Sequence, residues 1–517
     1  MTVLGIDLGT CYSCVAKCEK KGDLDKGHVE VIFDQNSGIP TVPSVVSLEK
    51  DTPLVGRAAK NNMISQAKNC FSFVKREMNK EYLEQELSKG IWDSRKVSPA
   101  EIQACILRHM FHSANNVIKN TDRQPEATKA VITIPAMFND TEREKTKLAA
   151  QMAGIDVLAL IQEPTAAAIA YNIRGGETIL VFDLGGGTLD VSIVKNDFGD
   201  HKVLGVPAGN SNLGGKDWDE ALVNYLLKRQ GKDLSEFPRS SKEWARLMKT
   251  AEEVKQVLTD QEEACFETVN PSIAETVTRS EFESITNHLV NQAIDIVDEA
   301  IKNANYANID RFVLVGGSSR MPMIKRRLQQ KYESIYSKGR GTNDWLVVSD
   351  PDQAIAKGAA IYAGVLEGLV NRTITIKDYA THSYGFRCYR SDTDILIVLN
   401  EILKTDPIEI HNKKFSLFTR YENQSEIATT IIENSKTEYE FEYNNDPILI
   451  EKNMQLPPNL PKGTEIFYIL NRDKNGIINI HVECQGRELQ FKAKEIVSES
   501  IMQQIEKTIQ KMKAAEQ

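Results

Sequence analysis

The order of apolar and polar positions predicts that the first two thirds of the chain alternate strands with helices. Residues 3–18 and 29–33 alternate or run apolar in the manner of β-strands, and a helix-rich stretch follows over about 57–120. The later predicted elements of this part are a strand at 131–135, helices at 141–153 and 164–173, a strand hairpin at 178–194, a strand at 203–210, a helical region at 217–259, a β-like segment at 264–278, a helix at 280–305, a strand, glycine turn and helix start at 312–322, and a helix at 351–366. Alternation of this kind predicts an α/β domain.

The pattern changes after about residue 368. Short alternating segments such as ILIVL, FSLFTRY, YEFEY and IINIHVEC are separated by turn-forming sequences, among them NNDP, PPNLPKG and RDKNG. Many short strands of this kind predict an antiparallel β-domain. A short helical tail is predicted at about 496–513.

Two segments of the first domain repeat one design. LGIDLGTCYSCVA and LVFDLGGGTLDVSIV each read as a strand, an aspartate, a glycine-containing turn and a second strand, and their aspartates are Asp7 and Asp183. We expect two similar lobes, each of which contributes one hairpin to a shared cleft.

Composition and charge narrow the classes of function. A chain of 517 residues is long enough for about two to four folding units, and its net charge of -9 provides no basic field for nucleic acid or anionic lipid. No apolar run reaches the ~18 residues of a membrane helix. The first residues, MTVLGIDLGT, do not resemble a signal peptide, so we expect a cytoplasmic protein without a membrane or nucleic-acid partner.

The eight cysteines do not form a disulfide framework in a chain of this length. Cys11, Cys14 and Cys18 are close in sequence, but no histidine or second cysteine pair follows at the spacing of a metal site. We therefore interpret them as small buried apolar residues.

The paired hairpins have the chemistry of a polyphosphate site. Glycine turns let backbone N–H groups approach phosphate oxygens, and carboxylates beside a polyphosphate require Mg²⁺ between them. Asp7 and Asp183 would hold that ion, mostly through its water ligands, while Thr10 and Thr188 can donate hydroxyl groups to phosphate. Neither a P-loop nor a dinucleotide GxGxxG sequence is present, which excludes the commonest alternative nucleotide sites.

At this point several motifs identify a family resemblance. DLGTCYSCVA, VITIPAMFNDTER, QEPTAAAIAY, FDLGGGTLDVSIV, NLGGKDWD, AEEVKQVLT and VLVGGSSRMP resemble the heat-shock protein 70 (DnaK-type) chaperones, densely over about 3–366 and more thinly to about 495. The resemblance implies an α/β actin-like ATPase domain of two lobes with a duplicated ribonuclease-H-like core, then an antiparallel β-sandwich and a short C-terminal helix. The implied divisions are an ATPase domain at 1–368, a linker at 369–379, a peptide-binding sandwich at 380–495 and a truncated lid at 496–517.

The resemblance also implies roles for individual residues in binding ATP or ADP with Mg²⁺, and K⁺ as a further ion. The implied catalytic residues are Lys75, Glu163, Asp183, Thr188 and Asp190. Those implied to bind the nucleotide are Asp7, Gly9, Thr10, Cys11, Tyr12, Gly185, Gly186, Gly187, Gly214, Gly215, Glu252, Lys255, Thr259, Gly316, Gly317, Ser318, Arg320 and Asp352. Pro135, Arg143 and Asp378 match the family's relay between its domains. On its own Lys75 would be interpreted as a solvated lysine, and Glu163 as a residue that favours a helix start.

The β-domain resembles a sandwich that holds an extended apolar peptide by main-chain hydrogen bonds and a side-chain pocket. The implied pocket residues are Phe386, Tyr389, Phe418, Tyr421, Ile427 and Thr429. Alternation alone cannot decide whether these side chains line a groove or form the sandwich core. The apolar linker ITIKD at 374–378 would dock as an edge strand, although Thr375 and Lys377 interrupt its usual leucine run.

The chain also departs from the common family pattern. Only about twenty residues follow the sandwich in place of a helical lid, and the segment 77–101 is much shortened, both of which resemble the specialised bacterial HscC-like branch. Ala159 and Gln162 replace the arginine and asparagine of the usual J-domain contact. The partners implied by the family are unfolded or extended peptide clients, a J-domain co-chaperone and a nucleotide exchange factor, and these substitutions count against the J-domain partner.

We therefore predict an ATP-dependent chaperone that couples hydrolysis to peptide binding and release, in protein folding and the stress response. Two alternatives stay open at this point. One is a weakly hydrolysing regulator or exchange-factor-like relative that uses ATP structurally, and the other is an actin-like filament former or a sugar kinase on the same fold.

Overall fold

The computed structural model describes residues 1–20, 28–34, 37–50, 52–84, 87, 95–171, 175–305, 308–336, 345–348, 350–377, 382–391, 393–404, 406–407, 409–446, 448–473, 478–492 and 499–516. The chain forms two compact units. The first consists of residues 1–137, 145–376 and 499–517, and the second of residues 138–144 and 377–498.

The first unit contains most of the strands and helices predicted for the α/β part. Its strands are β1 Thr2–Asp7, β2 Tyr12–Glu19, β3 His28–Ile32, β4 Thr41–Pro43, β5 Val46–Ser47, β6 Leu54–Val55, β7 Cys70–Phe71, β8 Lys129–Ile134, β9 Asp156–Gln162, β10 Thr178–Leu184, β11 Leu189–Asp197, β12 Asp200–Val203, β13 Ala208–Asn210, β14 Glu263–Val269, β15 Ser272–Thr278, β16 Arg311–Val315, β17 Leu346–Val348 and β18 Thr375–Lys377. Its helices are α1 Arg57–Asn62, α2 Pro99–Asn120, α3 Asp140–Met152, α4 Glu163–Ala170, α5 Gly215–Arg229, α6 Lys242–Asp260, α7 Arg279–Ala304, α8 Pro322–Tyr336, α9 Ala354–Leu366 and α10 Glu499–Glu516. Helix α3 and strand β18 each cross a boundary between the units.

Two mixed sheets of the first unit have the same topology. In the first sheet β1 pairs antiparallel with β2 and parallel with β8, which continues in parallel to β9. In the second sheet β10 pairs antiparallel with β11 and parallel with β16, which continues in parallel to β17. The sequence echo between the two aspartate hairpins is therefore a duplication of sheet architecture.

Small residues let helix α9 pack closely against β1 and α4. A Cβ atom on Gly5 would lie 2.0 Å from the backbone nitrogen of Ala360, and one on Gly358 would lie 1.8 Å from the carbonyl oxygen of Ala166. Both distances are far below van der Waals contact, so glycine is required at these two positions.

Two segments at the edges of the first unit bear on the predicted linker and tail. Strand β18 is hydrogen-bonded at the edge of the second sheet beside β12, which agrees with the edge strand expected from ITIKD. Helix α10 packs on α2, where Ile501, Ile505 and Ile509 are buried and the hydroxyl of Thr508 donates to buried Glu101. The tail is thus part of the first unit.

The second unit is a β-sandwich. Its strands are β19 Ser383–Tyr389, β20 Leu396–Ile402, β21 Ile410–Phe418, β22 Glu426–Asn434, β23 Glu440–Glu442, β24 Ile448–Gln455, β25 Glu465–Arg472, β26 Ile478–Cys484 and β27 Arg487–Lys492. They form a sheet of order β23-β20-β19-β22-β24 and a sheet of order β21-β25-β26-β27. The rings of Phe386, Phe415 and Tyr468 cluster in its core, with centroids 4.6–5.6 Å apart.

The elements differ from the sequence prediction in two places. The single strand predicted at 203–210 is two strands, β12 and β13, separated by residues 204–207, and one helical region is also divided. The stretch predicted as helical over 217–259 is two helices, α5 and α6, separated by the segment 230–241. Gly231 within that segment has a φ of 69°, which ends the first helix, and the hydroxyl of Ser241 caps α6 by accepting from the N–H of Trp244. Among the described residues, no helix combines the length and apolar character needed to span a bilayer.

Candidate nucleotide site

A cavity of about 740 Å³ lies between the two duplicated sheets of the first unit. This volume is within the range of small-molecule and cofactor sites. Its walls include both aspartate turns, helix α6 and the turn after β16. The predicted site residues that line it are Asp7, Gly9, Thr10, Cys11, Tyr12, Lys75, Glu163, Asp183, Gly185, Gly186, Thr188, Glu252, Lys255, Thr259, Gly316, Gly317, Ser318, Arg320 and Asp352.

One buried lysine and several carboxylates meet at the end of this cavity. The ammonium of Lys75 forms a buried ion pair with Glu163, the first residue of α4. Asp7 accepts a hydrogen bond from the hydroxyl of Thr133 at 3.2 Å, and Asp183 stands opposite Asp190 in the ladder between β10 and β11. These contacts bring together the residues that the resemblance implied for catalysis.

The pKa values of these carboxyl groups are raised first by burial and then by neighbouring carboxylates. Burial, followed by the charge of Glu163, raises the pKa of Asp7 and of Asp190 to about 7. The same causes, together with Asp190 and Asp7, raise the pKa of Asp183 well above its ordinary value. Burial lowers the pKa of Lys75, but the neighbouring carboxylates Glu163, Asp7 and Asp183 outweigh burial and raise it overall.

This arrangement fits a divalent cation. If all four carboxyl groups are ionised, one ammonium leaves the cluster with net negative charge. Burial, and after it the charge of Glu163, raises the pKa of Asp7, Asp183 and Asp190, so a bound cation would favour their ionised forms. Asp7 and Asp183 would hold Mg²⁺, which prefers oxygen ligands and retains water. The ion would neutralise phosphate charge beside these carboxylates.

The other end of the cavity has polar groups suited to a nucleoside. Tyr12 donates its hydroxyl to Glu252 at 2.9 Å, and Lys60 donates to both Tyr12 and Glu252 at 2.6 and 2.7 Å. Glu252, Lys255 and Thr259 share one face of α6 because they follow helical spacing. Thr259 itself donates to the carbonyl oxygen of Lys255 at 3.1 Å.

Two further ion pairs lie along the same end. Lys255 pairs with Asp219 at 2.7 Å, and Arg320 pairs with Asp352 at 2.6 Å. These pairs fix the long side chains that face the cavity.

Glycines bring the two aspartate turns into contact. A Cβ atom on Gly186 would lie 2.1 Å from the Sγ of Cys11, and one on Gly187 would lie 2.2 Å from the Cγ2 of Thr10. A Cβ atom on Gly214 would lie 2.5 Å from the carbonyl carbon of Gly187. Gly316 has a φ of 78° and lies against Leu184 and Asp183, so this position favours glycine for its backbone as well as for its space.

Four of the predicted site residues do not line the cavity themselves but belong to the elements that form its wall. Asp190 and Gly187 belong to the second hairpin, and Gly214 and Gly215 immediately precede or begin α5. The N–H of Gly215 donates to the carbonyl oxygen of Gly185 at 3.0 Å, and this hydrogen bond holds the start of α5 against the second aspartate turn.

The residues predicted to relay between domains are only partly described. Pro135 is buried after β8, and Arg143 is buried on α3, where its Nε donates to the carbonyl oxygen of Phe138 at 3.0 Å. Asp378 lies outside the described residues. The relay stays a prediction.

The predicted groove residues divide into two groups in the sandwich. Phe386 and Thr429 are buried, with Thr429 hydrogen-bonded to the hydroxyl of Tyr468 at 3.2 Å, and Ile427 is half-buried. Tyr389, Phe418 and Tyr421 are exposed. The guanidinium of Arg420 lies 3.6 Å from the ring centroid of Tyr389 and 5.0 Å from that of Tyr421. Their role in binding peptide stays a prediction.

Sequence analysis missed five charged residues that line the cavity, namely Lys60, Lys216, Asp219, Lys249 and Asp260. Asp219 pairs with Lys255 on another helix, a contact that spacing within either helix does not predict. No sequence motif around Lys60 or Lys216 distinguishes either residue from a solvated surface lysine.

The first unit has two duplicated lobes around a cavity with a buried lysine and paired aspartates, an arrangement suited to a nucleotide and a divalent cation. A model of the Hsp70 protein family matches residues 3–517. The chain therefore belongs to the Hsp70 family, whose members are ATP-dependent chaperones that bind ATP or ADP with Mg²⁺ and interact with peptide clients and co-chaperones.

Proposed function

We propose that this chain hydrolyses Mg–ATP in the cavity between its two aspartate hairpins and uses the cycle to bind and release extended apolar peptides. The observation that carries the proposal is the buried ammonium of Lys75 beside Glu163, Asp7 and Asp183. Phosphoryl transfer requires water, metal and phosphate to be positioned and the developing charge to be neutralised, and these groups are suited to that task.

Within this scheme each group has a separate task. Asp7 and Asp183 would hold Mg²⁺, and Lys75 would contact the terminal phosphate and the attacking water. Glu163 and Asp190 would orient water, and the hydroxyls of Thr10 and Thr188 would donate to phosphate oxygens. Glu252, Lys255, Arg320 and Asp352 would bind the adenosine.

Substitution of Lys75 tests the hydrolytic half of the proposal. We expect Lys75→Ala to reduce ATP turnover by at least about 10²-fold, because it removes a cation that faces the transferred phosphoryl group, while ATP still binds. Lys80→Ala is the matched control, since Lys80 lies five residues further on with an exposed side chain. Normal turnover in Lys75→Ala would contradict the catalytic assignment. ATP binding without turnover in the unaltered chain would favour the regulatory alternative.

A fluorescent-peptide assay tests the coupling. We expect ATP to accelerate release of an extended apolar peptide from the full chain, and Phe418→Ala to weaken peptide binding. Tyr439→Ala is the control, because Tyr439 is also an exposed aromatic residue of the sandwich. A peptide release rate that is independent of ATP would contradict coupling, and light scattering that rises on addition of ATP would favour a filament former.

We further propose that the protein is a specialised member, similar to the HscC-like branch. The described part of the chain after the sandwich is a single helix, α10, which packs on α2. Ala159 and Gln162 are both buried, which supports weak control by a standard J-domain co-chaperone. Addition of such a co-chaperone should change ATP turnover by less than about twofold, and strong stimulation would contradict this view.

A further inference from the structure

Lys216 is a residue of the nucleotide cavity to which the proposed function gives no role. It is the second residue of α5, its backbone N–H donates to the carbonyl oxygen of Gly186 at 2.9 Å, and its side chain lines the cavity together with Phe73 and Lys75. The hydrogen bond to Gly186 ties Lys216 directly to the second aspartate turn.

The surroundings of Lys216 are unfavourable for a positive charge. Its pKa is lowered by burial and then by the neighbouring cations Arg76 and Arg239. Arg76 is paired with Asp217 at 2.6 Å and Arg239 with Glu220 at 2.9 Å, whereas Lys216 forms no ion pair with any described residue. The first turn of a helix also disfavours cations. Burial and these cations therefore disfavour the charged form of Lys216, and a bound anion would offset that effect.

The ring of Phe73 contacts the ammonium of Lys216 next to the 3₁₀ turn that contains Lys75. Its Nζ lies 4.4 Å from the ring centroid of Phe73, a distance at which a cation is attracted to a ring face. Phe73 has a φ of 58° and immediately precedes the 3₁₀ turn Val74–Glu77 that carries Lys75. A phenylalanine in the left-handed region is strained, and such strain is found preferentially at functional sites.

We propose that Lys216 is a second cationic phosphate-binding residue, which contacts the terminal phosphoryl group of ATP and, after hydrolysis, inorganic phosphate. The inference rests on the proposed function, because it takes the cavity to be the ATP site. Lys75 is already paired with Glu163, so its charge is partly neutralised before phosphate binds. The carboxylates nearest Lys216 are Asp217 and Glu220, which are themselves paired with Arg76 and Arg239, so Lys216 supplies a less neutralised positive charge beside the second aspartate turn.

Separate affinities for ATP and ADP test this role. We expect Lys216→Gln to weaken binding of a non-hydrolysable ATP analogue by about tenfold, the effect of one charge-assisted hydrogen bond, and to change ADP binding by less than about twofold. Lys216→Arg should largely restore binding of the analogue because it keeps the charge. Lys228→Gln is the matched control, since it removes the same charge from an exposed position on the same helix.

A direct probe with inorganic phosphate separates this inference from the proposed function. With ADP bound, the unaltered chain should bind inorganic phosphate more tightly than Lys216→Gln. Equal weakening of the ATP analogue and ADP, or no change in either, would overturn the inference even if the chain hydrolyses ATP normally. A selective loss of binding to the ATP analogue would support it even in a chain without turnover. Thermal denaturation should show that Lys216→Gln remains folded, because the substitution relieves repulsion from Arg76 and Arg239.

Discussion

The hairpins around Asp7 and Asp183 share one topology but differ in the residue that lies opposite the aspartate. In the first hairpin Asp7 stands opposite Cys14, and in the second Asp183 stands opposite Asp190. Like charges directly opposite each other on neighbouring strands are destabilising. The second hairpin therefore concentrates the negative charge of the site, and the first contributes one carboxylate supported by the hydroxyl of Thr133.

The two turns also differ in what they contribute. The first presents the side chains of Thr10, Cys11 and Tyr12 to the cavity, while the second is a glycine triplet whose Gly186 and Gly187 pack against Cys11 and Thr10. The two copies of the hairpin therefore differ in function: the first contributes side chains to the cavity, and the second contributes closely packed backbone.

The largest expected effect comes from removing the central carboxylate. We expect Asp183→Asn to lower kcat by about 10²–10³-fold, because Asp183 faces Asp7, Glu163 and Asp190 and any bound cation would be shared through it. We expect Asp7→Asn to cost only about tenfold, since Cys14 lies opposite Asp7 where a second carboxylate, Asp190, lies opposite Asp183. Steady-state turnover and Mg²⁺ titration measure both variants. Equal losses would show that the hairpins contribute equally, contrary to the asymmetry inferred from the structure.

The glycine triplet provides the second test. Gly186→Ala should lower the melting temperature of the nucleotide-free protein by several degrees, because its methyl group would overlap Cys11 and push the two turns apart. Gly185→Ala is the matched control, since its nearest neighbour would be the carbonyl oxygen of Thr188 at 3.8 Å, an ordinary contact. Similar melting temperatures for the two variants would argue against close packing of the turns.

The third test measures how the effect of Asp190 on stability depends on pH. Its pKa is raised to about 7 by burial and by Glu163, so between about pH 4 and pH 7 the folded chain keeps a proton that the unfolded chain has lost. The free energy of unfolding therefore falls as pH rises through this window. In the nucleotide-free protein, Asp190→Asn should raise the melting temperature at pH 8 by about 2 °C or more, and the gain should shrink towards pH 4.

Asp197→Asn serves as the control for that experiment. Asp197 lies at the exposed far end of the same strand, β11, so the same substitution there should leave the pH dependence unchanged. A gain in Asp190→Asn that did not vary with pH would indicate a packing effect and not a proton.

Much of the site could be predicted from the sequence because its residues lie in local motifs. The aspartate turns, the glycine triplet and the β16 turn are short stretches whose composition already indicates their backbone geometry. The roles of Lys60 and Lys216 could not be predicted, because they depend on contacts with residues distant in sequence, such as Glu252 at 192 positions and Phe73. The division of the groove residues between buried and exposed positions was inaccessible for the same reason, since alternation does not identify which face of a strand meets the opposing sheet.

The smallest expected effect concerns a hydroxyl group that only the first hairpin supplies. Tyr12 follows the first turn, and its hydroxyl donates to Glu252 on α6 while accepting from Lys60 on α1. Tyr12→Phe removes both hydrogen bonds but leaves the ion pair between Lys60 and Glu252. We expect ADP to dissociate about threefold to tenfold faster, since a hydrogen bond of this kind contributes about 1 kcal/mol.

Stopped-flow release of a fluorescent ADP analogue measures the rate, with Tyr225→Phe on α5 as the control. An unchanged rate would show that the ion pair alone holds this side of the cavity, so that the first hairpin's contribution there would be limited to shape.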